Sequence, residues 1–123
     1  MRAYGVLQFR PGQQERLNVG VVLWDADAQT ARLAWTLARA RAAYPALPMT
    51  TVAAWAEWLV MLQRRLAEAP ATADRMAAIL PPEGFGPYVG LALGPWGAVV
   101  AHGTLAEDLR ALAADLLGGS AGA

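Results

Sequence analysis

A run of eight almost uninterrupted apolar residues, 17–24, constrains the fold more than any other feature of this 123-residue chain. It reads Leu-Asn-Val-Gly-Val-Val-Leu-Trp. A strand with one solvent-exposed face alternates apolar and polar residues, whereas a strand covered on both faces is apolar almost throughout. We therefore predict a central β-strand over residues 17–24, with other parts of the chain packed on both of its faces.

Strand-like segments flank this run on both sides. Residues 4–9 are rich in the aromatic and β-branched types that favour strands, and they end at the turn dipeptide Pro11-Gly12. Residues 25–29 have the composition of a reverse turn, and residues 30–37 alternate apolar with other side chains. The first forty residues thus predict a three-stranded antiparallel meander.

The middle of the chain carries a helical pattern. A buried stripe with alternating spacings of three and four residues is formed by Val52, Trp55, Leu59, Leu62 and Leu66. We expect Trp58 and Met61 to widen this stripe, Thr50 or Thr51 to cap the helix, and Pro70 to end it. Any short helix in 38–44 must end before Pro45, and a further short helix is predicted over 72–80.

The last third predicts two short strands and a helix. Residues 88–93 and 96–101 form either two strands around a tight Gly94-Pro95 turn, which we prefer, or one strand and a glycine-rich loop. Thr104 and Glu107 match a capping box at the start of the last helix. The buried stripe predicted for that helix is Leu105, Leu109, Leu112 and Leu116.

Together these patterns predict one α+β domain over residues 1–117. Its antiparallel sheet has about four to five strands, and the helices pack mainly on one face. Residues 118–123 are predicted to form a flexible tail rich in glycine and alanine.

The composition excludes several chemistries. All ten basic residues are arginine, cysteine is absent, and histidine and serine occur once each, as His102 and Ser120. These counts exclude a disulfide framework, a cysteine-based zinc site, a thiol nucleophile and a Schiff-base lysine, and they nearly exclude a Ser-His-Asp triad. Asp25 and Asp27 are typical of a turn, and Glu15 stands about 25 Å away at the other end of the central strand, so no metal site is predicted. We expect no cofactor, and a non-catalytic function is favoured over an enzyme.

Charge and hydropathy limit the classes of partner that this chain can bind. Residues 1–49 carry a net charge of +3 and residues 50–123 a net charge of −3, so the chain as a whole is neutral. Nucleic-acid binding is disfavoured, because such domains usually carry a strong basic excess. The longest apolar run, near residues 52–62, is well short of the roughly 20 residues that span a membrane. With no signal-peptide pattern at the first residues, we predict a cytoplasmic protein that does not bind membranes.

Several residues of the first half carry a family resemblance. They are Tyr4, Leu7, Phe9, Pro11 and Glu15, followed by Asn-Val-Gly-Val-Val-Leu at 18–23. This pattern resembles the opening of a bacterial family classed only as domain of unknown function three-zero-three-seven. Pro81-Pro82-Glu83-x-Phe85-Gly86 and the capped last helix are similar to its closing segment. The chain departs from the family in the apolar, glycine-rich stretch 91–97. The resemblance implies no activity. Some members of the family are encoded beside kinases that resemble persistence toxins, which implies an accessory role.

The candidate site residues cluster near the first loop and the last helix. Asn18 and Gly20 interrupt an apolar strand, so Asn18 either anchors a neighbouring segment, which we favour, or lines a pocket. His102 is the one histidine, the residue type suited to general acid–base chemistry, and so the one general-base candidate. An alternative site places Glu15, Asn18 and His102 around the loop 11–18, where an anion is bound by Arg10, Arg16 and Arg32.

Five tryptophans in so small a chain suggest that one apolar surface remains for a partner. The favoured function is a non-catalytic protein-interaction or accessory module that self-associates as a homodimer through an open sheet face or edge. A second, different protein is a further expected partner. The alternative is a small-ligand or anion-binding protein, or an enzyme, that uses the loop 11–18.

Overall fold

The computed structural model describes residues 1–11, 15–80 and 91–118, which form an antiparallel sheet of five strands and four helices. The predicted α+β class is confirmed. Of the predicted tail 118–123, only Gly118 lies within the described residues. The strands are β1 (Arg2–Phe9), β2 (Leu17–Asp25), β3 (Thr30–Trp35), β4 (Leu91–Leu93) and β5 (Gly97–Val99), and the helices are α1 (Ala38–Ala43), α2 (Met49–Glu68), α3 (Ala73–Ile79) and α4 (Leu105–Leu117).

The meander predicted for the first forty residues is confirmed. β2 lies between β1 and β3 and is antiparallel to both. The β2–β3 turn is closed by the Asp25 carboxylate, which accepts the Ala28 N–H at 3.0 Å. A bulge in β2 shifts the register between Leu7, which faces Gly20, and Gln8, which faces Asn18.

β2 is covered on both faces, as its apolar sequence predicts. Val19 and Val22 belong to the larger apolar cluster, to which α1, α2 and α3 contribute, whereas Val21 and Leu23 belong to a smaller cluster built on α4. Three helices therefore lie against one face of the sheet and one helix against the other. Because helices cover both faces of the sheet, the surfaces of the sheet at which another strand could be added are its edges.

The five-residue stripe of α2 is buried as predicted, but two details of this helix are wrong. The N-cap is Pro48, which has no side-chain oxygen to accept a backbone N–H, and both threonines lie inside the first turn. Of the two residues predicted to widen the stripe, Trp58 does so, half-buried against the larger apolar cluster, whereas Met61 is 46% exposed on the side of α2 that faces away from it.

The two predicted short strands are present as β4 and β5, but they do not pair with each other around a tight turn. Each pairs with β1, β4 along Leu7–Phe9 and β5 along Arg2–Tyr4, so the two strands lie end to end on the same side. The Gly94 N–H donates to the Val6 carbonyl at 2.8 Å, which keeps the chain beside β1 through the Gly-Pro segment instead of turning it back. Residues 88–90 of the predicted strand lie outside the described residues.

α4 begins with the predicted capping box. The Thr104 hydroxyl accepts the Glu107 N–H at 3.1 Å, and the Glu107 carboxylate accepts the Thr104 N–H at 3.0 Å. The buried stripe is shifted from the predicted one, with Leu109, Ala113 and Leu117 buried, while the other three predicted leucines are half-buried at its borders. In the described ranges, no helix combines the length and hydropathy that a membrane crossing requires.

Candidate functional site

The outer edge of β3 is an open edge of the sheet that the described residues form. In that sheet the strand order is β3-β2-β1, with β4 and β5 beyond β1, so β3 has a neighbouring strand on one side only. The Thr36 N–H donates toward β2, to the Val19 carbonyl, at 2.9 Å. The Leu33 carbonyl points the other way, where it accepts the Gln63 amide at 3.4 Å.

These directions identify the backbone groups on the edge. In an antiparallel strand, the N–H and C=O of one residue point to the same side, and successive residues alternate. Ala31, Leu33 and Trp35 therefore direct their N–H and C=O groups away from β2. At the turn that precedes β3, the Gln29 carbonyl points the same way and accepts the Ala71 N–H at 2.7 Å.

A groove of about 730 Å³ runs along this edge. β3 forms one side of it, and the C-terminal half of α2 and Leu109 of α4 form the others. Most of its side chains are small or apolar, and its charged residues are Arg32 and Glu68. A groove that exposes strand backbone between apolar walls can accept an extended segment as an added strand.

One side of α2 faces the β3 edge, and the C-terminal half of that side lines the groove. Ala56, Val60, Gln63 and Ala67 recur at spacings of four, three and four residues and form what we call the overhang stripe. Gln63 places the stripe over the edge of β3 through its bond to the Leu33 carbonyl. Val60 is 44% exposed. Ala67 is also exposed, whereas Ala56 is half-buried against the larger apolar cluster. Apart from Gln63, the stripe is small and apolar.

Asn18 ties β2 to the end of α4. Its side-chain amide donates to the Leu116 carbonyl at 3.0 Å, and its oxygen accepts the Gln8 amide at 3.1 Å. Leu116 belongs to the last turn of α4, whose carbonyls have no partner within the helix. Arg10 donates to the Gln8 side chain at 3.0 Å, so it is bound into the same chain of hydrogen bonds. These contacts are those of a structural anchor, and the anchored segment is α4.

Glu15 and Gly20 also make packing contacts. The Glu15 carboxylate accepts the Tyr44 hydroxyl at 2.6 Å, a hydrogen bond that raises the pKa of Tyr44. A Cβ on Gly20 would lie 3.0 Å from the Leu7 side chain, so this position admits no side chain unless Leu7 moves. Neither residue faces the groove.

An ion-pair cluster that the sequence patterns did not indicate lies where β1 and β5 meet the start of α4. Arg2 binds Asp25 at 3.2 Å and Asp108 at 2.5 Å, and all three side chains are largely buried. The backbone N–H of His102 donates to Asp108 at 3.0 Å. That bond, followed by Arg2, lowers the pKa of Asp108, and the Ala28 N–H, followed by Arg2, lowers that of Asp25. The opposite net charges of the two halves of the chain were the available signal, since Arg2 and Asp108 come from different halves.

The predicted site residues do not meet at one place. Arg10 and Asn18 both bind the Gln8 side chain, but His102 and Arg32 lie far from them. Asn18 contacts the last turn of α4, whereas His102 is exposed just before its first turn, and a helix of this length spans about 20 Å. Arg10 follows β1, and Arg32 lies level with Tyr4 two strands away, about 20 Å along the strand direction from Arg10. Arg16 is exposed at the start of β2.

The part of the chain described by the structure contains no group of three or more His, Asp or Glu residues that could hold a metal ion. No protein-family model, curated protein or solved structure matches the chain. The open edge of β3, with the groove beside it, is the feature from which a function is inferred.

Proposed function

We propose that the protein is a non-catalytic protein-interaction module that self-associates as a homodimer, and that its binding surface is the open edge of β3. The observation that carries this proposal is the direction of the Ala31, Leu33 and Trp35 backbone groups. They point away from the rest of the sheet, and Ala31 and Leu33 line the groove of about 730 Å³ beside the strand. Strand addition at such an edge supplies main-chain hydrogen bonds to the incoming segment.

A second copy of the chain fits this surface in charge and in chemistry. The chain has no net charge at pH 7, so two copies do not repel each other strongly. The edge of a strand presents donors and acceptors in alternation, and two copies of it can satisfy each other about a two-fold axis. The overhang stripe adds an apolar surface beside the edge.

The alternative function, a small-ligand or anion site or an enzyme near residues 11–18, needs Arg10, Arg16 and Arg32 to meet one ligand. Arg10 is bound to Gln8, and Arg32 lines the groove at the opposite edge of the meander. No contact among the described residues favours this alternative. The resemblance to the bacterial family, the accessory role and the cytoplasmic location stay predictions.

The direct test is the mass of the purified chain in solution. Sedimentation velocity from low to high micromolar concentration should show the mass rising from 13.0 kDa toward twice that value. A strict monomer at high micromolar concentration would contradict self-association. Thermal-shift screening of phosphate, nucleotides and divalent metals is the companion experiment, in which a saturable rise in melting temperature would support the alternative.

A further inference from the structure

Resting on the proposed self-association, we propose how the two copies pair. β3 of one copy lies antiparallel to β3 of the other, with the two-fold axis at Leu33 and perpendicular to the sheet. The two sheets then form one continuous sheet. We call the line along which the two β3 strands pair the seam. The overhang stripes of the two α2 helices meet beside the seam, on one face of the continuous sheet.

The hydrogen-bonding pattern favours this register. With the axis at Leu33, Leu33 faces the partner's Leu33, and Ala31 faces the partner's Trp35. All three outward-pointing residues of each β3 then exchange N–H···O=C bonds across the seam. Gln63 must release the Leu33 carbonyl, which it holds at the long distance of 3.4 Å.

Charge and strand length disfavour the neighbouring registers. An axis at Arg32 would place this exposed guanidinium directly opposite the partner's Arg32, about 4.5–5.5 Å away between Cβ atoms, and like charges so placed destabilise a strand pair. An axis at Ala34 would pair Ala31 with the partner's Leu37, which lies beyond the end of β3. With the axis at Leu33, Arg32 faces the uncharged Ala34 of the other copy.

The α2 helices fit the same arrangement. A two-fold axis perpendicular to the sheet keeps equivalent faces on the same side, so each α2 approaches the other along the side that overhangs its own β3 edge. Ala56 and Ala67 allow close approach of the two helices, and Val60 supplies an apolar side chain that is 44% exposed in one copy. The pairing therefore covers the backbone edge and the overhang stripe together.

The absence of cysteine makes the register directly testable by engineered disulfides. In the proposed pairing, position 32 and the partner's position 34 form a non-hydrogen-bonded pair with Cα atoms about 4.5 Å apart, inside the range for a disulfide. Positions 32 and 32 lie on a diagonal of about 7–8 Å, beyond that range. Arg32→Cys and Ala34→Cys proteins are therefore purified separately, mixed and oxidised with diamide.

We expect the mixture to yield covalent dimer at least tenfold faster than either variant alone. The matched control is Glu57→Cys, exposed on α2 away from the groove, mixed with Ala34→Cys. If either variant folds poorly by circular dichroism, Thr30→Cys with Thr36→Cys tests the same register, because these positions also face each other across an axis at Leu33.

The remaining outcomes separate the register from the function. Rapid cross-linking of Arg32→Cys alone, or of Ala34→Cys alone, would place the axis at that residue and overturn the proposed register. A dimer by sedimentation in which neither mixture cross-links above the control would overturn pairing at β3 but leave self-association standing. A monomer by sedimentation would overturn the proposed function itself.

Discussion

The two edges of the sheet are built in opposite ways. Beyond β1 lie two strands of only three residues each, β4 and β5, separated by the Gly94-Pro95-Trp96 break. At the other edge, β3 is a continuous strand of six residues without proline or glycine. Short strands, prolines and breaks are the means by which proteins keep an edge from pairing with another chain, and only the β4/β5 edge has them.

The difference assigns distinct tasks to the two edges. The β4/β5 edge ends beside the Arg2–Asp25–Asp108 cluster, which ties β1, the end of β2 and the start of α4 together. The β3 edge has the Gln63 amide over the Leu33 carbonyl, at 3.4 Å, and a groove lined by residues 30–33. The β4/β5 edge is built against pairing with another chain, whereas the β3 edge can accept another strand.

Proline at matched positions of the two edges should give the largest difference. Ala31 and Ala98 both direct their N–H groups outward, Ala31 from β3 and Ala98 from β5, so proline at either position removes no bond of the intramolecular ladder. We expect Ala31→Pro to weaken dimerisation at least about a hundredfold, since it removes an N–H that bonds across the seam and blocks the edge. Ala98→Pro should leave dimerisation unchanged.

The measurement is sedimentation velocity over a dilution series, with circular dichroism to confirm that both variants fold. Equal loss of dimer in the two variants would mean that the edges do not differ in the way described. Unchanged dimerisation in a folded Ala31→Pro protein would exclude β3 as the binding surface.

Neighbouring positions on α2 provide the second contrast. Val60 and Met61 are 44% and 46% exposed, but they project about 100° apart around the helix, and only Val60 lies on the overhang stripe. Val60→Glu should weaken dimerisation about tenfold or more, because a carboxylate would be buried against the partner's stripe. Met61→Glu is the control and should have no effect. An equal effect of both substitutions, measured by light scattering, would argue against the helix contact.

Asn18 lies on β2, away from both edges, and tests the fold separately from association. Asn18→Ala should lower the free energy of unfolding by about 1–2 kcal/mol, because it leaves the Leu116 carbonyl and the Gln8 amide without their partner. Urea denaturation measures this change at concentrations where the protein is monomeric. Dimer affinity should stay the same per folded molecule. A loss of dimer with no loss of stability would instead place Asn18 at a binding surface.

Acid should act on the Arg2 cluster, beside the closed edge. The pKa values of Asp25 and Asp108 lie below their ordinary value of 3.8, so the unfolded chain binds protons more readily than the folded chain. Their contribution to stability is complete above that value and is lost as the pH falls through the lowered folded pKa values. We expect the melting temperature to drop below about pH 4, and to drop less steeply in Asp108→Asn. Asp115→Asn, an exposed carboxylate of α4, is the control and should keep the wild-type slope.

The smallest expected effect comes from Gln63, which competes with the partner strand for the Leu33 carbonyl. Removing a weak hydrogen bond that must break on association should tighten the dimer by about two- to fivefold, in line with a net cost of about 0.5–1 kcal/mol. Gln63→Ala makes this change while keeping a small side chain on the overhang stripe. Weaker dimerisation of the variant would show that Gln63 stabilises the dimer instead of competing with the partner strand for the Leu33 carbonyl.

The sequence predicts those parts of the fold that depend on local pattern. The apolar run at 17–24, the five-residue stripe of α2 and the Thr104–Glu107 capping box each reflect periodicity or a short-range bond. The placement of β4 and β5 depends on pairing with β1, some ninety residues earlier, and no local pattern reports it. For the same reason, the local pattern predicts the two short strands but wrongly places a tight turn between them.

The candidate site was harder to predict than the fold. Unusual single residues such as Asn18 and His102 attract attention in the sequence, but the structure places them at opposite ends of α4. An open sheet edge has no residue signature of its own, since it depends on strand order and on which backbone groups point outward. The Arg2–Asp108 pair joins residues 106 positions apart, and only the opposite charges of the two halves hinted at it.

The central claim is that backbone amides on the β3 edge become hydrogen-bonded across a dimer. Site-resolved amide hydrogen exchange at low and at high protein concentration measures this directly, with the outward-pointing Ala98 amide of the other edge as internal reference. The account predicts that protection of the Ala31, Leu33 and Trp35 amides rises with concentration while that of Ala98 stays constant. Protection at β3 that does not change with concentration, in a sample whose mass does change, would contradict it.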